Sequence, residues 1–253
     1  MGPDTRERPE DPIHRLVLWN IDLTLVDVGQ ITREASAEAF AAVTQRRLVH
    51  LPQIAGRTDS EAFFEALAVN APELTDTHTT QRLLARYIEE LARAFDARRQ
   101  MLTDKGRVLP GARAALAALG GQPGLVQTVL TGSIKPNAVR KLRAFGLEGF
   151  VDISVGGYGS EVYPKGTLLR VARSRAGEKY GATFGESETA YIGDSPRDVE
   201  AARVGGARSI AVASGRATVA ELTAAGPDAV LADLSDTEAV LRVIDGLTTP
   251  AVS

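Results

Sequence analysis

The stretch that most constrains this chain is Leu16-Val17-Leu18-Trp19-Asn20-Ile21-Asp22-Leu23-Thr24-Leu25-Val26, an apolar run that breaks into polar side chains and then resumes. A short apolar run bounded by polar residues reads as a strand buried on both faces, the pattern of a parallel sheet covered by helices. In such sheets ligands gather beyond the carboxyl ends of the strands. Asn20 and Asp22, two residues apart, project to the same side at that end. The stretch therefore predicts both an architecture and a place for chemistry.

Two later apolar runs end in the same way. Residues 125–130 pass into Thr131-Gly132-Ser133, and residues 189–192 pass into Gly193-Asp194-Ser195-Pro196-Arg197-Asp198. From Leu109-Pro110-Gly111 onward the pattern alternates between helix and strand. Helices are predicted at 111–119, at 136–145 with Pro136 in the first turn, at 166–179 and at 197–204. Strands are predicted at 125–130, near 151–155 ahead of the glycine-rich Gly156-Gly157-Tyr158-Gly159, and at 189–192. Two more units follow, strand 208–213 with helix 218–225 and strand 228–231 with helix 236–246. Right-handed crossovers keep parallel strands pointing one way, so the polar strand ends converge on one edge of the sheet. Lys165, at the start of a helix, joins them.

Between the first strand and Leu109 the spacing is helical. Ala35, Ala39, Phe40 and Val43 predict a helix over 32–46, and a capping box from Thr58 to Glu61 predicts a second ahead of Phe63, Phe64 and Leu67. Leu83, Leu84, Tyr87, Ile88, Leu91, Ala94 and Phe95 recur at three- and four-residue steps and predict one long helix over 79–101. The expected organisation is a disordered arm at 1–14, charged and proline-rich, an α/β core from 15–28 and 106–253, and a helical insertion at 29–105.

At 253 residues the chain is long enough for one core carrying a smaller inserted domain. A net charge of −3, from 29 basic and 32 acidic residues with no long basic run, argues against nucleic acid or an anionic membrane as partner. The absence of cysteine rules out a disulfide framework and thiolate chemistry. With no apolar stretch near the roughly 20 residues of a membrane span and no signal segment, the expectation is a soluble cytoplasmic protein, monomer or homodimer, with a small-molecule partner.

The ordered clusters resemble the haloacid dehalogenase superfamily, and within it the phosphoglycolate-phosphatase-like hydrolases with a helical cap between the first and second motifs. The resemblance runs over nearly the whole chain from Leu16. It is carried by Asn20-Ile21-Asp22-Leu23-Thr24 where the family has Asp-x-Asp-x-Thr, by Thr131, by Lys165, and by Gly193-Asp194-x-x-x-Asp198. It implies a Rossmann-like doubly wound parallel sheet with an inserted all-helical cap, and Mg²⁺-dependent hydrolysis of a small phosphorylated metabolite through an aspartyl-phosphate. By the same resemblance Asp22 is the acid and base. The metal falls to the position-20 side chain, the Asp22 backbone carbonyl and Asp194, with Asp198 close behind. Thr131, Gly132 and Ser133 hold phosphate oxygens, and Lys165 offsets crowded negative charge. Arg57, beside a cap helix, is placed to meet an anionic part of the substrate.

The departure is at residue 20. A carboxamide is uncharged and a poor nucleophile, so the covalent step loses its attacking group, while its oxygen is a weaker cation ligand than a carboxylate. Whether natural or introduced, the substitution predicts impaired activity, or a non-catalytic phosphometabolite-binding or regulatory protein. A phosphomutase shares the core motifs. The acidic Asp194 and Asp198 argue against a metal-free dehalogenase, and the absence of lysine between Gly29 and Asp104 argues against a Schiff-base phosphonate hydrolase. Plainer readings stand beside these: Asp194 and Asp198 suit a helix start, Thr131 an N-cap and Arg57 a solvated helix end. His14, His50 and His78 have no metal-site spacing.

Overall fold

The structure, a computed structural model, describes residues 14–50, 56–161 and 164–248. The arm expected at the amino terminus lies outside the described residues except for His14, whose backbone N–H donates to the Gly124 carbonyl.

The first strand, β1 (Arg15–Trp19), is the centre of the molecule. Its alternation sends Val17 and Trp19 into one apolar cluster and Leu16 and Leu18 into another on the opposite face, all with no exposed surface. Burying each such side chain contributes about 1.5–3 kcal/mol, which fixes the register because a slip of one residue exchanges the two faces. After Asn20 the chain turns sharply, with Leu23 in the left-handed region at φ 60°, and forms a short β2 (Val26–Asp27) paired antiparallel with β3 (Arg107–Val108).

The rest of the sheet comes from β4 (Leu125–Thr131), β5 (Gly157–Tyr158), β6 (Thr189–Gly193), β7 (Arg208–Val212) and β8 (Ala229–Leu231), all parallel, in the order β5-β4-β1-β6-β7-β8. Helices α5 (Ala112–Gly120), α6 (Lys135–Ala144) and α10 (Thr237–Leu247) cover the Trp19 face. Helices α7 (Lys165–Tyr180) and α8 (Pro196–Gly205) cover the Leu18 face, and α9 (Val219–Ala224) packs beside β7 and β8. This is the Rossmann-like, doubly wound arrangement expected.

Among the described residues, four α-helices lie between β2 and β3: α1 (Gly29–Thr44), α2 (Asp59–Asn70), α3 (Thr77–Asp96) and α4 (Arg99–Lys105). They share a core of their own around Ile31, Phe40, Phe63, Leu67, Tyr87, Leu91 and Phe95. Both halves of the Thr58–Glu61 capping box form at the start of α2. The single long helix expected over 79–101 is instead two helices. The break falls at Ala97 and Arg98, where the Arg98 N–H bonds back only three residues to Phe95 and the Arg98 guanidinium pairs with Glu34 and Glu38 of α1.

The strand expected near 151–155 is also absent. Asp152 turns the chain there by accepting the N–H and hydroxyl of Ser154 and, on its other oxygen, Lys179 and Tyr180. This local competition defeats the ladder. Pairing resumes at β5, where a Cβ on Gly157 would lie 2.8 Å from the Leu168 carbonyl oxygen, so glycine permits the close approach to α7.

Candidate active site

The carboxyl ends of β1, β4 and β6 and the start of α7 bring Asn20, Asp22, Thr131, Ser133, Lys165, Asp194 and Asp198 to one edge. Asn20 is 5% exposed and lies among four polar partners. Its Nδ2 donates to the Asp22 carbonyl (2.8 Å), to Asp194 Oδ1 (2.9 Å) and to Thr24 Oγ1 (3.2 Å), while its Oδ1 accepts from Lys165 Nζ (3.2 Å). The two-residue offset between Asn20 and Asp22 at a strand end makes this convergence possible.

Asp198 is fully committed to the protein. Its Oδ1 accepts from Lys165 Nζ (2.6 Å) and the Tyr191 hydroxyl (2.7 Å), and its Oδ2 accepts from the N–H and Oγ of Ser195. Burial works to raise its pKa, but the adjoining Lys165 ammonium and these hydrogen bonds outweigh it and hold the carboxyl below the ordinary value. Asp194 has fewer donors. Burial, then the Asp198 charge, push its pKa up to about 7, against the pull of Lys165, Thr24 and Asn20. The Tyr191 phenol is pushed well above its ordinary value by burial and by Asp198.

Against Asp22 stands Lys141, which no motif in the sequence had marked. Its ammonium is 1% exposed and bonds both oxygens of Asp22 (2.7 Å each) and Ser133 Oγ (2.8 Å); Ser133 Oγ in turn donates to Asp22 Oδ2 (3.0 Å). The same ammonium lies 5.4 Å from the centre of the Phe95 ring on α3. A signal was present: Lys141 falls on the buried stripe of α6 with Ala138 and Leu142, where a charge needs a partner. Thr131, fully buried, accepts the Ser133 N–H and so shapes the loop that carries Gly132 and Ser133.

The start of α2 rests on that loop. The Asp59 N–H donates to the Gly132 carbonyl (2.8 Å), Asp59 Oδ2 accepts the Ile134 N–H (2.9 Å), and Ser60 Oγ donates to the Gly159 carbonyl (3.0 Å). A Cβ on Gly132 would lie 1.9 Å from the Arg57 carbonyl oxygen, so only glycine allows this seating. Asp59, also unforeseen, is buried, and burial raises its pKa to about 6 despite the nearby Lys141. Arg57 is in the neighbourhood through its backbone, but its guanidinium pairs with Glu65 of α2, the helix that follows it. Burial, then the neighbouring Arg197, lower its pKa.

The Mg²⁺ that the sequence resemblance implies would draw on the position-20 side chain, the Asp22 carbonyl and Asp194. These groups do meet, but Asn20 offers them its amide nitrogen and not its oxygen. Turning the amide over would set its N–H₂ against the Lys165 ammonium, two donors facing each other at about hydrogen-bond distance. With Asp198 committed elsewhere, Asp194 is the one carboxylate left to bind directly, and the residues present do not fit the ion. Among the described residues no group of three or more His, Cys, Asp or Glu side chains is placed to hold a metal.

The family model for haloacid dehalogenase-like hydrolases matches residues 17–203, from the second residue of the central apolar run to the last turn of α8. The chain belongs to the haloacid dehalogenase-like hydrolase family. No match was found among curated proteins. Solved structures share the fold. A hydrolase from Pseudomonas syringae is 23% identical with a TM-score of 0.66, covering 93% of this chain and 100% of its own. A predicted phosphatase from Clostridium acetobutylicum has 18% identity and a TM-score of 0.66, with 91% and 99% coverage. A predicted phosphoglycolate phosphatase from Haemophilus somnus has 18% identity and a TM-score of 0.59, with 90% and 98% coverage. No helix among the described residues is long and apolar enough to cross a membrane.

Proposed function

We propose that this hydrolase-family chain recognises a small phosphorylated metabolite at the edge formed by Asn20, Asp22, Thr131, Ser133 and Lys165, and that its phosphatase chemistry is impaired at residue 20. The helices at 29–105 act as the cap over that edge. The observation that carries the reading is Asn20 itself: it stands at the end of β1, hydrogen-bonded to Asp194 and Lys165, in the place where the family motif has its nucleophile.

The residue types suit phosphoryl chemistry apart from that one position. An in-line attack needs a carboxylate, and the amide has neither the charge nor a free electron pair of comparable reactivity. Asp22, 36% exposed at its side chain, is open to a leaving oxygen or to water, which suits an acid and base. Removing one negative charge also lowers repulsion toward a phosphate dianion, by about 1–4 kcal/mol for charges some 4 Å apart at effective dielectrics of 80 to 20. Binding is thereby favoured while turnover is lost. Magnesium dependence belongs to the form with aspartate at position 20, whose carboxylate supplies the missing ligand.

Hydrolysis of p-nitrophenyl phosphate in Mg²⁺ tests the reading. The protein as it stands should sit near background, and Asn20→Asp should gain at least about a hundredfold, the scale of a restored catalytic group. An Asn20→Asp protein that is folded, takes up Mg²⁺ and remains inert would sink the phosphatase assignment.

A further inference from the structure

The polar partners of Asn20 carry a second conclusion, which rests on the phosphate-recognition reading above. The Asp22 carbonyl oxygen and Asp194, the groups that the resemblance would assign to a cation, are instead held together by Asn20 Nδ2, at 2.8 Å from the carbonyl and 2.9 Å from Asp194 Oδ1. Thr24 Oγ1 closes on the same pair, 3.2 Å from Nδ2 and donating to Asp194 Oδ1 at 3.1 Å. Lys165 fixes the amide in this sense by donating to its oxygen, and is itself anchored on Asp198. We propose that the Asn20 amide group takes the cation's structural place in this chain, so that the native protein does not load Mg²⁺ and binds its phosphate group without a metal.

The charges are consistent with that assignment. A cation site needs its negative ligands uncompensated, yet Asp198 is neutralised by Lys165 and Asp22 by Lys141. What remains is one carboxylate, Asp194, already accepting two hydrogen bonds. The Lys165 and Lys141 ammonium groups, though paired, remain hydrogen-bond donors beside Asn20 and Ser133, and an oxyanion would be met by those donors without a metal. Replacing Asn20 by aspartate reverses the arrangement. A carboxylate would then face Asp194 and the Asp22 carbonyl at under 3 Å, a repulsion that a bound cation relieves and that otherwise requires a shared proton.

Thermal melting of the full chain, with EDTA and with millimolar Mg²⁺, reads this directly. The native protein should melt at the same temperature in both. Asn20→Asp should melt several degrees lower in EDTA and recover on adding Mg²⁺, because a ligand that binds only the folded state stabilises it by mass action. A comparable rise for the native protein would overturn the proposal, whatever the variant does, and so would an Asn20→Asp protein indifferent to Mg²⁺. Calorimetry with inorganic phosphate supplies the second arm. Equal affinity in EDTA and in Mg²⁺ is expected from the native protein, and binding only in Mg²⁺ overturns metal independence while leaving phosphate recognition standing. Absence of binding in both overturns the anion half of the proposal together with the reading it rests on.

Discussion

Lys141 and Asp22 form an unequal pair, and the inequality predicts which partner the fold needs more. Lys141 is 1% exposed and the Asp22 side chain 36% exposed. Asp22→Asn leaves an ammonium buried without its counter-charge, a loss of about 3–5 kcal/mol. Lys141→Met keeps the stem volume and leaves a carboxylate that water reaches, a loss of about 1–2 kcal/mol. Urea unfolding of the two variants should rank them in that order, and equal or reversed losses would show that Asp22 is not the main partner of the buried charge. That Asn20, Asp22, Thr131, Lys165, Asp194 and Asp198 meet at one edge was legible in the sequence, because each follows an apolar strand or opens a helix at a fixed offset. Lys141 and Asp59 were not, because what makes them part of the site is packing between elements distant in the chain. Arg57 lay in the right segment, yet Glu65 of the following helix α2 takes its guanidinium.

At the scale of elements, the seating of α2 on the loop after β4 depends on two local features. Thr58→Ala removes the cap hydrogen bond to the Glu61 N–H and should cost about 1 kcal/mol in thermal or urea unfolding. Asp59 makes the same contact pH-dependent. Its pKa rises from 3.8 to about 6 on folding, so the native state binds more protons than the unfolded chain between those values. Stability contributed by this group therefore falls as pH rises from about 4 to about 6. Asp194, raised to about 7, slopes the same way and extends the window. Asp59→Asn keeps an acceptor for the Ile134 N–H and removes the charge, so its stability relative to the native protein should increase from pH 4 to pH 6. A constant difference would mean that Asp59 does not titrate in that window. The helix and strand pattern was read from periodicity with two failures, and both have local causes. Arg98 breaks the helix for pairs with α1, and Asp152 bends the chain through side-chain bonds, neither of which leaves a trace in hydrophobic spacing.

For the whole molecule, the order β5-β4-β1-β6-β7-β8 puts β1 between β4 and β6, so three polar strand ends meet where the sheet's connections diverge. The doubly wound parallel class was legible because consecutive strand and helix patterns leave few right-handed solutions, but the strand order was not read from the sequence. The seating of the helices at 29–105 over the edge was not, since it rests on backbone contacts such as Asp59 to Gly132 and on the room glycine leaves there. On the function proposed above, the molecule keeps a phosphoryl-transfer scaffold around a residue unable to accept the phosphoryl group. The most direct measurement is covalent trapping. Asn20→Asp, mixed with a radiolabelled small phosphate ester in Mg²⁺ and quenched in acid, should carry label on residue 20 that hydroxylamine releases, while the native protein carries none. Label on the native protein at any other residue, or its absence from a folded, metal-loaded Asn20→Asp protein, would contradict the assignment of position 20 as the lost nucleophile.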